Sequence, residues 1–165
     1  MPTETPPLFT LALPDAEATA RLGETLAPLL RAGDVLLLEG QIGAGKTHFA
    51  RALISARLAA LGRHEDIPSP TFTLVQSYDA APEIWHADLY RLTHPDEAIE
   101  LGLEEAFETA ICLVEWPDRL GDLTPAGALT LRFSLRAGGA ARAVEIAGDA
   151  GWRTRLQPLE SWPDA

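Results

Sequence analysis

The chain has 165 residues, 47% of them hydrophobic and 22% charged, with a formal net charge of −11. That length suits one domain with a real core, and no apolar run approaches the roughly 20 residues of a membrane helix. The acid excess argues against a broad electrostatic grip on nucleic acid, while a lone cysteine, Cys112, and an N-terminus without a basic segment before its short apolar stretch point to a reducing cytoplasm.

From the N-terminus, MPTETPP reads as a tail over residues 1–7, and LFTLAL, residues 8–13, as a short strand. Residues 14–33 read as a helix, with Asp15 as N-cap, Leu22, Leu26, Leu29 and Leu30 on one face, and Gly33 as its stop. DVLLLEG, residues 34–40, is a buried strand that runs into a glycine-rich loop, and KTHFARALISARLAALG, residues 46–62, is a helix closed by Gly62. Residues 71–92 then carry two strands around a turn near Ala80 to Pro82; along the second, Ile84, His86 and Asp88 share one face.

HPDEAIELGLEEAF, residues 94–107, reads as one acidic amphipathic helix whose glutamates form a solvated face. AICLVEW, residues 110–116, is an apolar strand ending in an acid and stopped by Pro117. ALTLRFSL and ARAVEIAG pair as a hairpin around Gly138 and Gly139, ahead of a short helical segment at residues 149–160 and a tail at 161–165. Strands alternating with helices, then a terminal hairpin, predict a single α/β domain over residues 8–160, with helices on both faces of a mixed, partly parallel central sheet, as in phosphate-loop NTPases.

Gly40-Gln41-Ile42-Gly43-Ala44-Gly45-Lys46-Thr47 matches G-x-x-x-x-G-K-[ST], the phosphate loop, and lies where that loop must lie, between strand and helix. Small residues at Gly43, Ala44 and Gly45 let backbone N–H groups turn inward onto a phosphate, and the following helix adds its positive end. Of the 13 basic residues, Lys46 is the sole lysine; its ammonium suits the β- and γ-phosphates, and the Thr47 hydroxyl suits magnesium. The acid such a site needs is best met by Glu115, at the end of an apolar strand. Asp88 is the second candidate, equally readable as a turn cap or a partner of Arg91. Ser69, Pro70 and Thr71 begin a loop of hydroxyls and prolines suited either to a γ-phosphate switch or to a plain turn. His48 follows the phosphate loop on an exposed helix turn, His64, His86 and His94 lack metal-ligand spacing and read as structural, and Cys112 reads as an inert core residue.

Four stretches together, LEGQIGAGKTHFARAL, SPTFTLVQSY, HADLYRL and ICLVEWPDRLG, resemble the TsaE family, also called YjeE, over about residues 8–147. The resemblance implies an ATPase of transfer-RNA threonylcarbamoyladenosine synthesis that uses ATP and Mg²⁺, works with TsaB and TsaD proteins, and meets tRNA only through that complex. It places magnesium ligands at Thr47 and Glu115, a catalytic aspartate at Asp88 and a switch-like loop at Ser69, Pro70 and Thr71. It also implies nucleotide contacts at Glu17 and Arg142. His48 departs from the family's usual hydroxyl at that position. Among rival classes, a GTPase would need a lysine to read guanine, and Lys46 is already committed; a small-molecule kinase would need an arginine-rich lid, for which Arg132, Arg136 and Arg142 are too dispersed.

Overall fold

The computed structural model describes residues 6–163, so residues 1–5 of the expected tail at 1–7 and residues 164–165 of that at 161–165 lie outside the described residues. Seven strands form one sheet: β1 (Phe9–Leu13), β2 (Val35–Glu39), β3 (Val75–Tyr78), β4 (Ile84–Asp88), β5 (Ile111–Glu115), β6 (Leu129–Arg136) and β7 (Ala141–Ala147). Their order is β1-β7-β6-β2-β5-β4-β3. β2 runs parallel to both β5 and β6, and β4 parallel to β5. The β3–β4 and β6–β7 hairpins and the β1–β7 pair are antiparallel, so the mixed sheet expected from the sequence is the one observed.

The apolar block Val35–Leu38 has no polar alternation because β2 is covered on both faces. Leu36 and Leu38 enter a core shared with α1 (Ala16–Leu26) and α2 (Lys46–Ala59), while Val35 and Leu37 enter a second core on the opposite face. The second core packs against α3 (Asp96–Glu100) and α4 (Leu103–Thr109) and includes the Cys112 side chain. A fifth helix, α5 (Ala150–Arg155), adds Trp152 to the first core. Gly23 lets α1 lie close to α2, since a Cβ there would stand 2.8 Å from the Phe49 carbonyl oxygen.

Three of the boundaries that differ from the sequence expectation have a clear physical cause. The helix expected over 14–33 ends at Leu26, where Pro28 redirects the chain into a short 3-10 turn, Ala27–Leu29. Asp15 is its N-cap as expected, accepting from the Ala18 amide at 2.8 Å. The acidic helix expected over 94–107 is two helices broken at Gly102, whose φ of +86° no helix interior allows. The fold also continues beyond residue 160, because the Trp162 indole donates to the Ala12 carbonyl at 2.9 Å and packs on the first core. Among the described residues, no helix is long and apolar enough to cross a membrane.

Burial pushes the Cys112 thiol up to about 12 from an ordinary value of 9.0. The raised value means that the unfolded chain loses the thiol proton first, so stability from this group is full below about pH 9 and falls as pH rises towards about 12. In mildly alkaline buffer, iodoacetamide is expected to alkylate Cys112 orders of magnitude more slowly in the folded chain than in concentrated guanidinium; comparable rates would contradict the burial of β5.

Candidate nucleotide site

Parallel pairing of β4, β5 and β2 brings their C-terminal ends together, and the loop after β2 rises from that edge. In an open parallel sheet this is where ligands bind. Gly45, at φ +104°, immediately precedes α2 and offers no side chain to cap it, which leaves the first amide groups of the helix facing the loop. Gly40 has φ +140°, and a Cβ on it would stand 2.6 Å from the Phe133 carbonyl oxygen. The first glycine of the motif is therefore required by the approach of β6, whereas a Cβ at Gly43 would meet nothing within 4 Å.

A cavity of about 710 Å³ opens over the loop, within the roughly 300–1,000 Å³ usual for small-molecule sites. Gly43, Gly45, Lys46, Thr47, His48, Thr71, Asp88, Glu115 and Arg142 all contribute to its lining, and Ala44 is buried behind it. Lys46, Asp88 and Glu115 are only 4%, 7% and 2% exposed. The Lys46 ammonium donates to the Gly40 carbonyl and stands 3.6 Å from the centre of the Trp116 ring. Burial lowers the affinity of Lys46 for its proton, and the charges of Glu115, Asp88 and Asp118 oppose that shift.

The Thr47 hydroxyl donates to Glu115 Oε1 at 2.8 Å. Two hard oxygen donors from different elements thus meet at the start of α2, a set that fits a magnesium ion. Among the described residues no cluster of three or more His, Cys, Asp or Glu is arranged to hold a metal.

Asp88 pairs in register with Glu115 across β4 and β5. One of its oxygens accepts from the Tyr90 amide at 3.1 Å, the turn-capping role weighed from sequence, and the other lies 3.4 Å from the Thr71 hydroxyl. The suggested partner Arg91 instead lies over the Phe72 ring, 4.7 Å from its centre. Ser69 and Thr71 hydroxyls are 2.8 Å apart, and the Leu74 amide closes a turn onto the Pro70 carbonyl at 2.7 Å. The Ser69–Thr71 loop is thereby tied to the cavity through Asp88.

His48 bonds the Ala16 carbonyl at 3.0 Å and joins the starts of α2 and α1. Arg142 reaches the loop from β7: its guanidinium donates to the carbonyls of Gly43 at 3.0 Å, Gly139 at 2.8 Å and Ala141 at 3.3 Å. Glu17 is exposed in the first turn of α1 and is not among the residues lining the cavity; Asp15 and Ala16 line it instead. The contacts of three further residues were not legible in the linear motifs. Trp116, with φ +59°, meets the Tyr90 ring at 5.0 Å between centres in a tilted contact and covers Lys46. Arg91 joins the lining. His86 contacts Glu115, and the only sequence signal for it was its place on the same strand face as Asp88.

The comparisons with known proteins converge. Residues 13–144 match the family described as "Threonylcarbamoyl adenosine biosynthesis protein TsaE". The chain is similar to the tRNA threonylcarbamoyladenosine biosynthesis protein TsaE of Rickettsia felis, 43% identical over 109 residues, which are 66% of this chain and 62% of that protein. It is 35% identical to the Treponema pallidum TsaE protein over 125 residues, covering 75% of this chain and 90% of the relative. The crystal structure of Bacillus subtilis YdiB superposes with a TM-score of 0.73 at 28% identity, covering 92% of this chain and 93% of that one.

The glycine geometry is testable directly. Gly40→Ala is expected to cost about 2 kcal/mol more in chemical denaturation than Gly138→Ala, because both positions have positive φ but only Gly40 faces a backbone oxygen. Equal losses would contradict the close packing of the loop on β6.

Proposed function

The chain belongs to the TsaE family, and on that premise we propose that it is a magnesium-dependent ATPase of tRNA threonylcarbamoyladenosine biosynthesis that acts with TsaB and TsaD proteins in the cytoplasm. The observation that carries the reading is the meeting of Lys46, Thr47 and Glu115 in one cavity at the mouth of the glycine loop. The amides of Gly43 and Gly45 would bind phosphate oxygens, joined by that of Ala44 if it leaves the Gln41 carbonyl to which it donates at 3.1 Å, and Lys46 would exchange its Gly40 carbonyl for the β- and γ-phosphates. Thr47 and Glu115 would hold Mg²⁺, which would supply neutralising charge to the phosphates. Asp88, facing Glu115 and tied to Thr71, connects the phosphate end of the cavity to the Ser69–Thr71 loop.

Hydrolysis requires more than binding. Added positive charge on the γ-phosphate accelerates phosphoryl transfer strongly. The Arg142 guanidinium is held by three carbonyl oxygens, which supports a low intrinsic rate and a need for groups supplied by partners. The Ser69–Thr71 loop is the segment placed to report nucleotide state to them.

Three outcomes are expected. Lys46→Ala abolishes ATP binding in a calorimetric titration while the circular dichroism spectrum is retained; normal binding by the folded variant would refute the phosphate-loop assignment. Glu115→Gln lowers metal-dependent turnover by at least about tenfold; if only Asp88→Asn removes the metal requirement, the two acids exchange roles. ATP hydrolysis by the isolated chain is slow and rises about tenfold or more when TsaB and TsaD are added; equal rates, with full tRNA modification in the absence of this chain, would remove it from the pathway.

A further inference from the structure

His86 has no solvent exposure, yet it lies on β4 among side chains that could all be apolar. Its neighbours on the same face are Ile84 behind it and Asp88 ahead. Across the parallel pair, Leu113 stands opposite His86 and Glu115 opposite Asp88, so the ring meets the Glu115 carboxylate diagonally. The distance from Nε2 to Oε2 is 2.7 Å. His86 does not line the cavity.

A carboxylate only accepts hydrogen bonds, so Nε2 carries the hydrogen in this contact. The other ring nitrogen, Nδ1, is buried with no hydrogen-bond partner among the described residues. Burying a polar atom unpaired costs stability, and an aliphatic side chain would fill this site without that cost. The imidazole is therefore poorly explained by packing alone. What it supplies is a donor to the second oxygen of Glu115, whose first oxygen accepts from Thr47 at 2.8 Å. With both oxygens engaged from opposite sides, the carboxylate cannot rotate freely.

We infer that His86 is a positioning residue for the magnesium site: its Nε2–H fixes the Glu115 carboxylate so that Oε1 faces the Thr47 hydroxyl where the metal is held. The inference rests on the magnesium–nucleotide reading above. A partner of this kind behind a metal ligand commonly governs metal affinity by 10- to 100-fold without touching the ion. The placement also gives β4 a second task, since the strand that carries Asp88 at its end braces the acid of β5 from two residues further back.

The test compares wild type, His86→Leu and His86→Gln in two measurements: Mn²⁺ affinity of the ADP complex by electron paramagnetic resonance, and ADP affinity in the presence of EDTA. His86→Leu is expected to weaken Mn²⁺ binding by about tenfold and to leave metal-free ADP binding within about twofold. His86→Gln, which keeps an amide donor near the Nε2 position, is expected to recover most of the loss. In a Glu115→Gln background His86→Leu should add nothing further. Unchanged Mn²⁺ affinity in His86→Leu, or equal losses in the Leu and Gln variants, would overturn the inference and leave the nucleotide reading standing. Failure of the wild type to bind Mn²⁺ with ADP would overturn both. Should His86→Leu not fold, the imidazole nitrogen-15 spectrum of the wild type decides: a protonated Nε2 is expected, and an unprotonated Nε2 contradicts the donation.

Discussion

The buried carboxylate of Glu115 has to be compensated, and the local structure is organised around that requirement. An ionised acid removed from water is costly unless it is hydrogen-bonded or paired with charge. Here one oxygen takes the Thr47 hydroxyl, the other the His86 ring, and the Lys46 ammonium contributes favourable charge from the loop. These partners come from the first turn of α2 and from β4, so satisfying one side chain fixes two elements of the fold against β5. The same arrangement leaves hard oxygen donors beside a lysine at the uncapped start of α2. Stability and the proposed phosphate binding thus draw on the same contacts.

The sheet order explains how distant segments reach this point. β2 lies between β5 and β6, which places the loop after β2 beside Glu115 on one flank. On its other flank the loop is close to β6, where the Phe133 carbonyl demands glycine at position 40. β7, next to β6, carries Arg142 to the Gly43 carbonyl across 99 positions of sequence. β4, on the far side of β5, brings Asp88 and with it the Thr71 hydroxyl. Trp116 follows Glu115 directly and, in a left-handed backbone conformation, turns its ring over Lys46 rather than continuing the strand.

Much of this was legible because it is local or periodic. The apolar run before Gly40, the glycine spacing, and the acid ending Ile111–Glu115 each express a physical requirement within a few residues, and the fold class followed from their alternation. What escaped depends on contacts between elements. The break at Gly102 was hidden because the acidic pattern continues on both sides of it, in α3 and α4. Trp162 looked like a frayed end because its partner, the Ala12 carbonyl, is 150 positions away. His86 was read only as a structural histidine without metal-ligand spacing, because its meaning comes from the β4–β5 register, which spacing along the chain does not encode. Arg91 was weighed as a partner for Asp88, but the Tyr90 amide and Thr71 hydroxyl occupy that carboxylate instead.

The most direct test of the account is a crystal structure of the chain grown with Mg²⁺ and a non-hydrolysable ATP analogue. The triphosphate is expected within the loop of residues 40–47, with Lys46 moved from the Gly40 carbonyl onto phosphate oxygens and the metal between the phosphates and the Thr47–Glu115 pair. A triphosphate bound elsewhere, or a metal held without either of those two side chains, would contradict it.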